Sequence, residues 1–157
     1  MQKSLRLYLP VEGEVKPISE VNDYLFNKRI MGEGIAIEPK GNFLYAPVSG
    51  EITLIYEGRH ALAIKTDSGL QVLIHVGIDS IKLNGKGFAY YVNKGDCVEA
   101  GDKILFFDRE YVETYASSTT PIVITNSELI SNISFNYKAC KVGDVIMDIT
   151  LKPWTMK

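Results

Sequence analysis

Cysteine is nearly absent from this sequence. Cys97 and Cys140 stand far apart, with no CxxC spacing and no histidine beside either. That excludes a thioredoxin-type redox pair and a cysteine-built zinc cage, and leaves two reduced thiols in a cytoplasmic setting as the expectation. Long apolar runs are missing as well. No window approaches the ~20 residues that span a bilayer. The opening MQKSLRLYLPVEGEV lacks the apolar core of a secretory signal. Charge of one sign never accumulates. The net charge is −2 and the basic residues are scattered, so nothing draws a phosphate backbone and nucleic acid is an unexpected partner. No Ser/Pro-rich or Gly-rich stretch divides the 157 residues, which are expected to form one domain over 1–157. With 46% hydrophobic and 23% charged residues the chain has the composition of a globular domain with a sizeable core.

What is present is a succession of short β-branched and aromatic runs cut by glycine: GIAIEP, GEITLIY, HALAIKT, LQVLIHV, KILFFD, TPIVITN and DVIMDIT. This is the pattern of an all-β sandwich or barrel. Helical periodicity is weak, and a turn or two is expected at 21–27, 109–117 and 126–130. Two internal echoes appear. PVEGEV at 10–15 returns as PVSGEI at 47–52. Lys94-Gly95-Asp96 and Val142-Gly143-Asp144 each precede an apolar strand. Two similar halves of one sandwich explain them better than a solenoid. Gly32-Glu33-Gly34 and Gly85-Lys86-Gly87 lack the remaining positions of a dinucleotide fingerprint and read as turns.

Histidine is as scarce as cysteine, yet its two copies, His60 and His75, flank one predicted hairpin, RHALAIKTDSGLQVLIHVG. If the loop is Asp67-Ser68, Thr66 pairs with Gly69 and His60 faces His75, with Cβ atoms ~4.5–5.5 Å apart. If the loop has three residues with Gly69 in a bulge, the pairing shifts by one and the histidines fall on opposite faces. Alternation favours the first register. It gathers His60, Leu62, Ile64, Gln71, Leu73 and His75 on one face and packs Ala61, Ala63, Val72 and Ile74 inward. A facing imidazole pair suits two kinds of chemistry. One ring can accept a phosphoryl group while the other binds its oxygens, or both can ligate zinc with two further ligands found elsewhere.

The segment LIHVGIDSIKLNGKGF around His75 closely resembles the phosphorylation-site signature of the glucose-type IIA components of the bacterial phosphoenolpyruvate-dependent sugar phosphotransferase system. Gly32-Glu33-Gly34-Ile35-Ala36-Ile37 is similar to that family's GDGIAI, and Ala46-Pro47-Val48-Ser49-Gly50 to its APVSG turn. Gly95-Asp96, Gly101-Asp102 and Thr120-Pro121 to Asn126 follow in the family's order, so the resemblance covers about residues 8–150 and implies a single IIA domain with its core there.

The resemblance implies an antiparallel β-sandwich, of the barrel-sandwich hybrid type, acting as a cytoplasmic phosphocarrier. His75 would accept a phosphoryl group on Nε2 from the phosphorylated histidine carrier protein, becoming a tele-phosphohistidine. It would then pass the group to the IIB domain of a sugar permease, the chain's only route to a membrane. A backbone carbonyl just beyond His75 would hold its Nδ1 proton, and His60 would assist transfer. No cofactor or metal is needed, and no GxxxxGK[ST] loop is present. Docking would be apolar, on Tyr24, Leu25, Phe26, Ile30, Met31, Tyr56 and Ile81, with Asp23 and Asp79 offering carboxylates at the rim. The family usually carries a threonine two residues before the assisting histidine, and here that position is Gly58. Lys82 replaces an acid or polar residue, and Leu73 is a conservative apolar change.

Two other readings exist. Biotinyl and lipoyl carriers and lysostaphin-type peptidases share such turns. The former need a lysine at the hairpin tip, where Asp67-Ser68-Gly69 stands, and the latter an HxH pair. A IIA-like regulator of transporters or kinases would use the same histidine. The start at Met1 without a trailing linker suggests an independent IIA protein, with excision from a multidomain permease as the alternative.

Overall fold

The computed structural model describes residues 3–153. Among these, thirteen strands form three antiparallel sheets. In chain order they are β1 (Ser4–Tyr8), β2 (Gly13–Pro17), β3 (Glu33–Pro39), β4 (Phe43–Tyr45), β5 (Gly50–Ile55), β6 (Ala61–Lys65) and β7 (Gln71–His75). The remainder are β8 (Phe88–Tyr90), β9 (Cys97–Val98), β10 (Lys103–Phe107), β11 (Thr120–Ile124), β12 (Ile130–Phe135) and β13 (Val145–Leu151). The large sheet runs β2-β3-β11-β7-β6-β5-β9, and two smaller ones run β1-β13-β12 and β4-β10-β8. Each of the seven expected strand runs is a strand. The expected turns are helix α1 (Tyr24–Asn27), helix α2 (Arg109–Tyr115) and a 3-10 turn at Ser127–Leu129.

Period-two alternation gives the large sheet two faces. One face sends Ile35, Ile37, Leu62, Ile64, Val72, Ile74, Ile122 and Ile124 into the main core, where they meet Leu44, Leu105, Phe107, Met147 and Ile149 from the other sheets. The opposite face carries Ala36, Ala61, Leu73 and Val123. It is covered by a second, smaller cluster from the segment before β3: Ile18, Val21 and Phe26. Small residues on the sheet let that segment lie close. Burying each branched or aromatic side chain contributes about 1.5–3 kcal/mol toward holding it there.

The hairpin between β6 and β7 adopts the register that alternation disfavoured. Ala61 pairs with His75 and Lys65 with Gln71. The loop is the three residues Asp67-Ser68-Gly69, closed by Thr66 N–H to the Leu70 carbonyl at 2.9 Å. Gly69 takes φ +91, open to glycine without strain. Two side chains fix this choice: the Thr66 hydroxyl accepts from Leu70 N–H, and Asn126 accepts from Gln71 N–H and donates to the Gly69 carbonyl. Val72 and Ile74 do face the core, as expected. Leu62 and Ile64 join them, while Ala61 and Leu73 lie on the other face.

Gly32-Glu33-Gly34 is not a simple turn, whereas Gly85 and Gly87, with φ of +84 and +89, do occupy one. Gly34 lies inside β3 opposite Val123, where an added Cβ would stand 2.0 Å from the Ile122 carbonyl oxygen.

The repeated PV-GE motif marks a pseudo-symmetric core. Tyr8 N–H donates to the Pro47 carbonyl at 2.9 Å, and Tyr45 N–H to the Pro10 carbonyl at 2.8 Å. Leu9 N–H reaches Asp144, and Ala46 N–H reaches Asp102, both at 2.7 Å. The counterpart of Gly143-Asp144 is therefore Gly101-Asp102 and not the Gly95-Asp96 pair suggested by the sequence echo.

Candidate functional site

The second face of the large sheet ends in the candidate site. His75 closes β7, a strand held on both sides by β6 and β11, and stands on the same face as Ala61 and Leu73. The half-buried imidazole is packed from one side by Phe26, with ring centroids 5.3 Å apart and edge-on. Just past the strand the chain turns at Gly77, φ +86, and its carbonyl comes back to 2.7 Å from His75 Nδ1. A carbonyl only accepts, so Nδ1 carries the proton and the lone pair of the neutral ring belongs to Nε2. A buried hydroxyl supports the turn, Ser80 donating to the Val76 carbonyl at 2.7 Å.

His60 arrives by a different route from the facing pair that the sequence suggested. It is the last residue of the loop between β5 and β6, closed by Tyr56 N–H to the Ala61 carbonyl at 2.9 Å. Across the ladder its carbonyl accepts from Val76 N–H at 2.6 Å. Regular extension from β6 would aim the ring into the core beside Leu62. The chain leaves the strand at Arg59, φ +64, and the imidazole turns onto the other face. There it meets His75 edge-on at 4.9 Å between centroids, and Tyr56 at 5.6 Å. The two rings converge although the register is the one expected to separate them.

The two imidazoles have different surroundings. His60 is 2% exposed and its Nδ1 has no hydrogen-bond partner. The Gly58 backbone lies against that nitrogen, close enough to favour its protonation without forming a bond of regular geometry. A Cβ on Gly58 would sit 2.8 Å from Nδ1. Burial holds the pKa of both histidines below the usual value. For His75 the Gly77 hydrogen bond opposes that shift, His60 adds to it and Asp23 acts against it.

Around the rings, Tyr24 (66% exposed), Leu25, Ile30 and Ile81 (61% exposed) present apolar surface. Phe26 does not join them. At 3% exposed it supports His75 from beneath. Met31 and Tyr56 are half-buried against the second cluster. Asp23 caps α1 through Leu25 N–H, and exposed Asp79 pairs with Lys82 at 2.9 Å. Both aspartates line one shallow depression with Asn22, Ile78, Ala116 and Ser117. Among the described residues, no three or more His, Cys, Asp or Glu side chains gather to hold a metal, so the zinc alternative lacks its further ligands there. No helix among them is long and apolar enough to cross a membrane.

Sequence reasoning did not single out Ser80, or Tyr90, whose hydroxyl donates to the Arg59 carbonyl at 2.8 Å. Ser80 lies within the His75 signature. Tyr90 arrives from another sheet and carries no local signal.

Residues 5–130 match the family described as phosphoenolpyruvate-dependent sugar phosphotransferase system, EIIA 1. Glucose-specific EIIA components of the phosphotransferase system from Bacillus cereus and Bacillus anthracis are each 42% identical over 146 residues, 91% of this chain and 88% of theirs. The solved glucose permease IIA from Mycoplasma capricolum superimposes with a TM-score of 0.85 at 34% identity, over 93% of this chain and 96% of that one. With the family matched over most of its length and relatives this similar, the chain belongs to the EIIA 1 family of the phosphoenolpyruvate-dependent sugar phosphotransferase system.

Proposed function

We propose that the chain is a cytoplasmic phosphocarrier that takes a phosphoryl group onto His75 Nε2 and hands it to a permease. The donor is the phosphorylated histidine carrier protein and the acceptor the IIB domain of a sugar permease. The observation that carries this reading is the 2.7 Å contact between His75 Nδ1 and the Gly77 carbonyl. It fixes the tautomer and leaves Nε2 as the nucleophile.

In the forward step the Nε2 lone pair forms a bond to phosphorus as the donor's P–N bond breaks, its electron pair returning to the donor ring. The Nδ1 proton stays on His75, and its bond to Gly77 bears the positive charge the ring acquires. In the onward step a nucleophile on IIB forms its bond to phosphorus as the Nε2–P bond breaks, and the electron pair of that bond returns to Nε2, restoring the neutral ring. Burial keeps His75 neutral near pH 7, ready to attack. His60, edge-on at 4.9 Å, is placed to interact with the phosphoryl oxygens as they pass.

Tyr24, Leu25, Ile30 and Ile81 suit a shallow apolar contact that two partners occupy in turn. The Asp79–Lys82 pair is exposed, worth about 0–1 kcal/mol, and easily exchanged for a partner's cation. Charges of this kind steer association more than they add affinity.

Phosphoenolpyruvate with the two general phosphotransferase proteins, read by intact mass, tests the assignment. One acid-labile phosphoryl group is expected on the wild type and none on His75→Ala. His60→Gln should accept the group and pass it on poorly. Stable labelling of His75→Ala would remove the site assignment, and normal onward transfer by His60→Gln would remove the helper role.

A further inference from the structure

His60 has no side-chain hydrogen bond on Nδ1 and sits at the end of a loop, yet its ring must face His75 for any shared chemistry. Its orientation is set from the backbone. Two peptide planes meet at its Cα. The later one, carrying the His60 carbonyl, is held by Val76 N–H at 2.6 Å. The earlier one, carrying the Arg59 carbonyl, belongs to a residue at φ +64, a conformation that a non-glycine residue keeps only under constraint. One constraint is local, Arg59 N–H donating to the Tyr56 carbonyl at 2.7 Å. The other is remote. Tyr90, on β8 of a different sheet and paired there with Leu105, donates its hydroxyl to the Arg59 carbonyl at 2.8 Å.

We infer that Tyr90 is a positioning residue for His60. Its hydroxyl fixes the Arg59–His60 peptide and so aims the second imidazole at the first. With both flanking planes pinned, the Cα–Cβ direction of His60 is determined. The ring then settles between Tyr56, His75 and the bare Cα of Gly58, which leaves it room. Burial raises the Tyr90 pKa against the opposing charge of Arg59, so the hydroxyl remains a donor throughout the physiological range. This anchoring works through the backbone and needs no hydroxyl at position 58. Its kinetic consequence rests on the phosphocarrier reading; its geometric one does not.

Tyr90→Phe keeps the aromatic ring and deletes the bond. In unphosphorylated protein, the His60 ring resonances should move and the His60–His75 ring contacts weaken by NMR, while the His75 Nδ1 signal stays in place. In transfer assays, His75 should label to the same extent. The onward rate at saturating IIB should fall about tenfold with the half-saturating IIB concentration unchanged, well inside the ~10²-fold that a 1 Å misplacement can cost. Unmoved ring signals in Tyr90→Phe, or a full onward rate alongside a working wild type, would overturn the inference. Moved ring signals in a protein whose wild type accepts no phosphoryl group would support the anchor and discard the phosphocarrier reading instead. Should Tyr90→Phe not fold, the wild type decides. The bond holds the Tyr90 ring edge against the Arg59–His60 peptide, and the lack of any NOE between the Tyr90 ring and residues 59–60 refutes the anchor.

Discussion

Two imidazoles that touch edge-on at 4.9 Å do not titrate alike in solution and in the fold. Burial lowers the pKa of both His60 and His75 below 6.5. The unfolded chain therefore binds more protons than the folded one in the window just below 6.5. The sign follows: this contribution to stability is fully present above about 6.5 and is lost as pH falls through the folded values. Because these are the only histidines, acid destabilisation between about pH 7.5 and 5.5 should arise mainly here. Urea unfolding at the two pH values should show a loss in the wild type that is smaller in His60→Gln. An equal loss in both would contradict the assignment of the shift to buried imidazole.

At the scale of elements, β3 and β11 show how much a single missing Cβ decides. Gly34 faces Val123 across the ladder with the Ile122 carbonyl where its side chain would begin. No flexible side-chain end is there to yield. Gly34→Ala should cost about 1–3 kcal/mol, at the upper end of that range. The Tm should drop by roughly 5–10 °C, measured by thermal unfolding. A change under 1 °C would mean that the strands are not this close. The sequence showed the strand but not this contact, because β11 lies far along the chain from Gly34 and only pairing brings them together.

The hairpin register failed to be legible for the same reason. Alternation within 60–75 weighs only local faces, while the Asn126 side chain that holds the Gly69 carbonyl and Gln71 N–H is remote in sequence. What could be read locally was read well. β-branched runs became strands, His75 closed one of them, and α2 (Arg109–Tyr115) formed within the expected 109–117. The convergence of the histidines was anticipated by an argument that the register does not obey. It is achieved instead by the left-handed Arg59, which no periodicity announces.

The large sheet sends one face into the main core and carries the candidate site on the other. The pseudo-symmetric pairs of Tyr8 with Pro47 and Tyr45 with Pro10 tie the two halves of the sandwich together away from the histidines. That leaves the outer face of the large sheet, under Ile18, Val21 and Phe26, to carry His75. This arrangement gives His75 a paired strand on each side and a fixed tautomer. We propose that phosphorus bonds to one particular nitrogen, His75 Nε2. Phosphorus-coupled NMR of the ¹⁵N-labelled, phosphorylated protein tests this most directly. Coupling should appear on Nε2 of His75 with the Nδ1 proton retained toward Gly77. Coupling on Nδ1, or on any nitrogen of His60, would contradict the account.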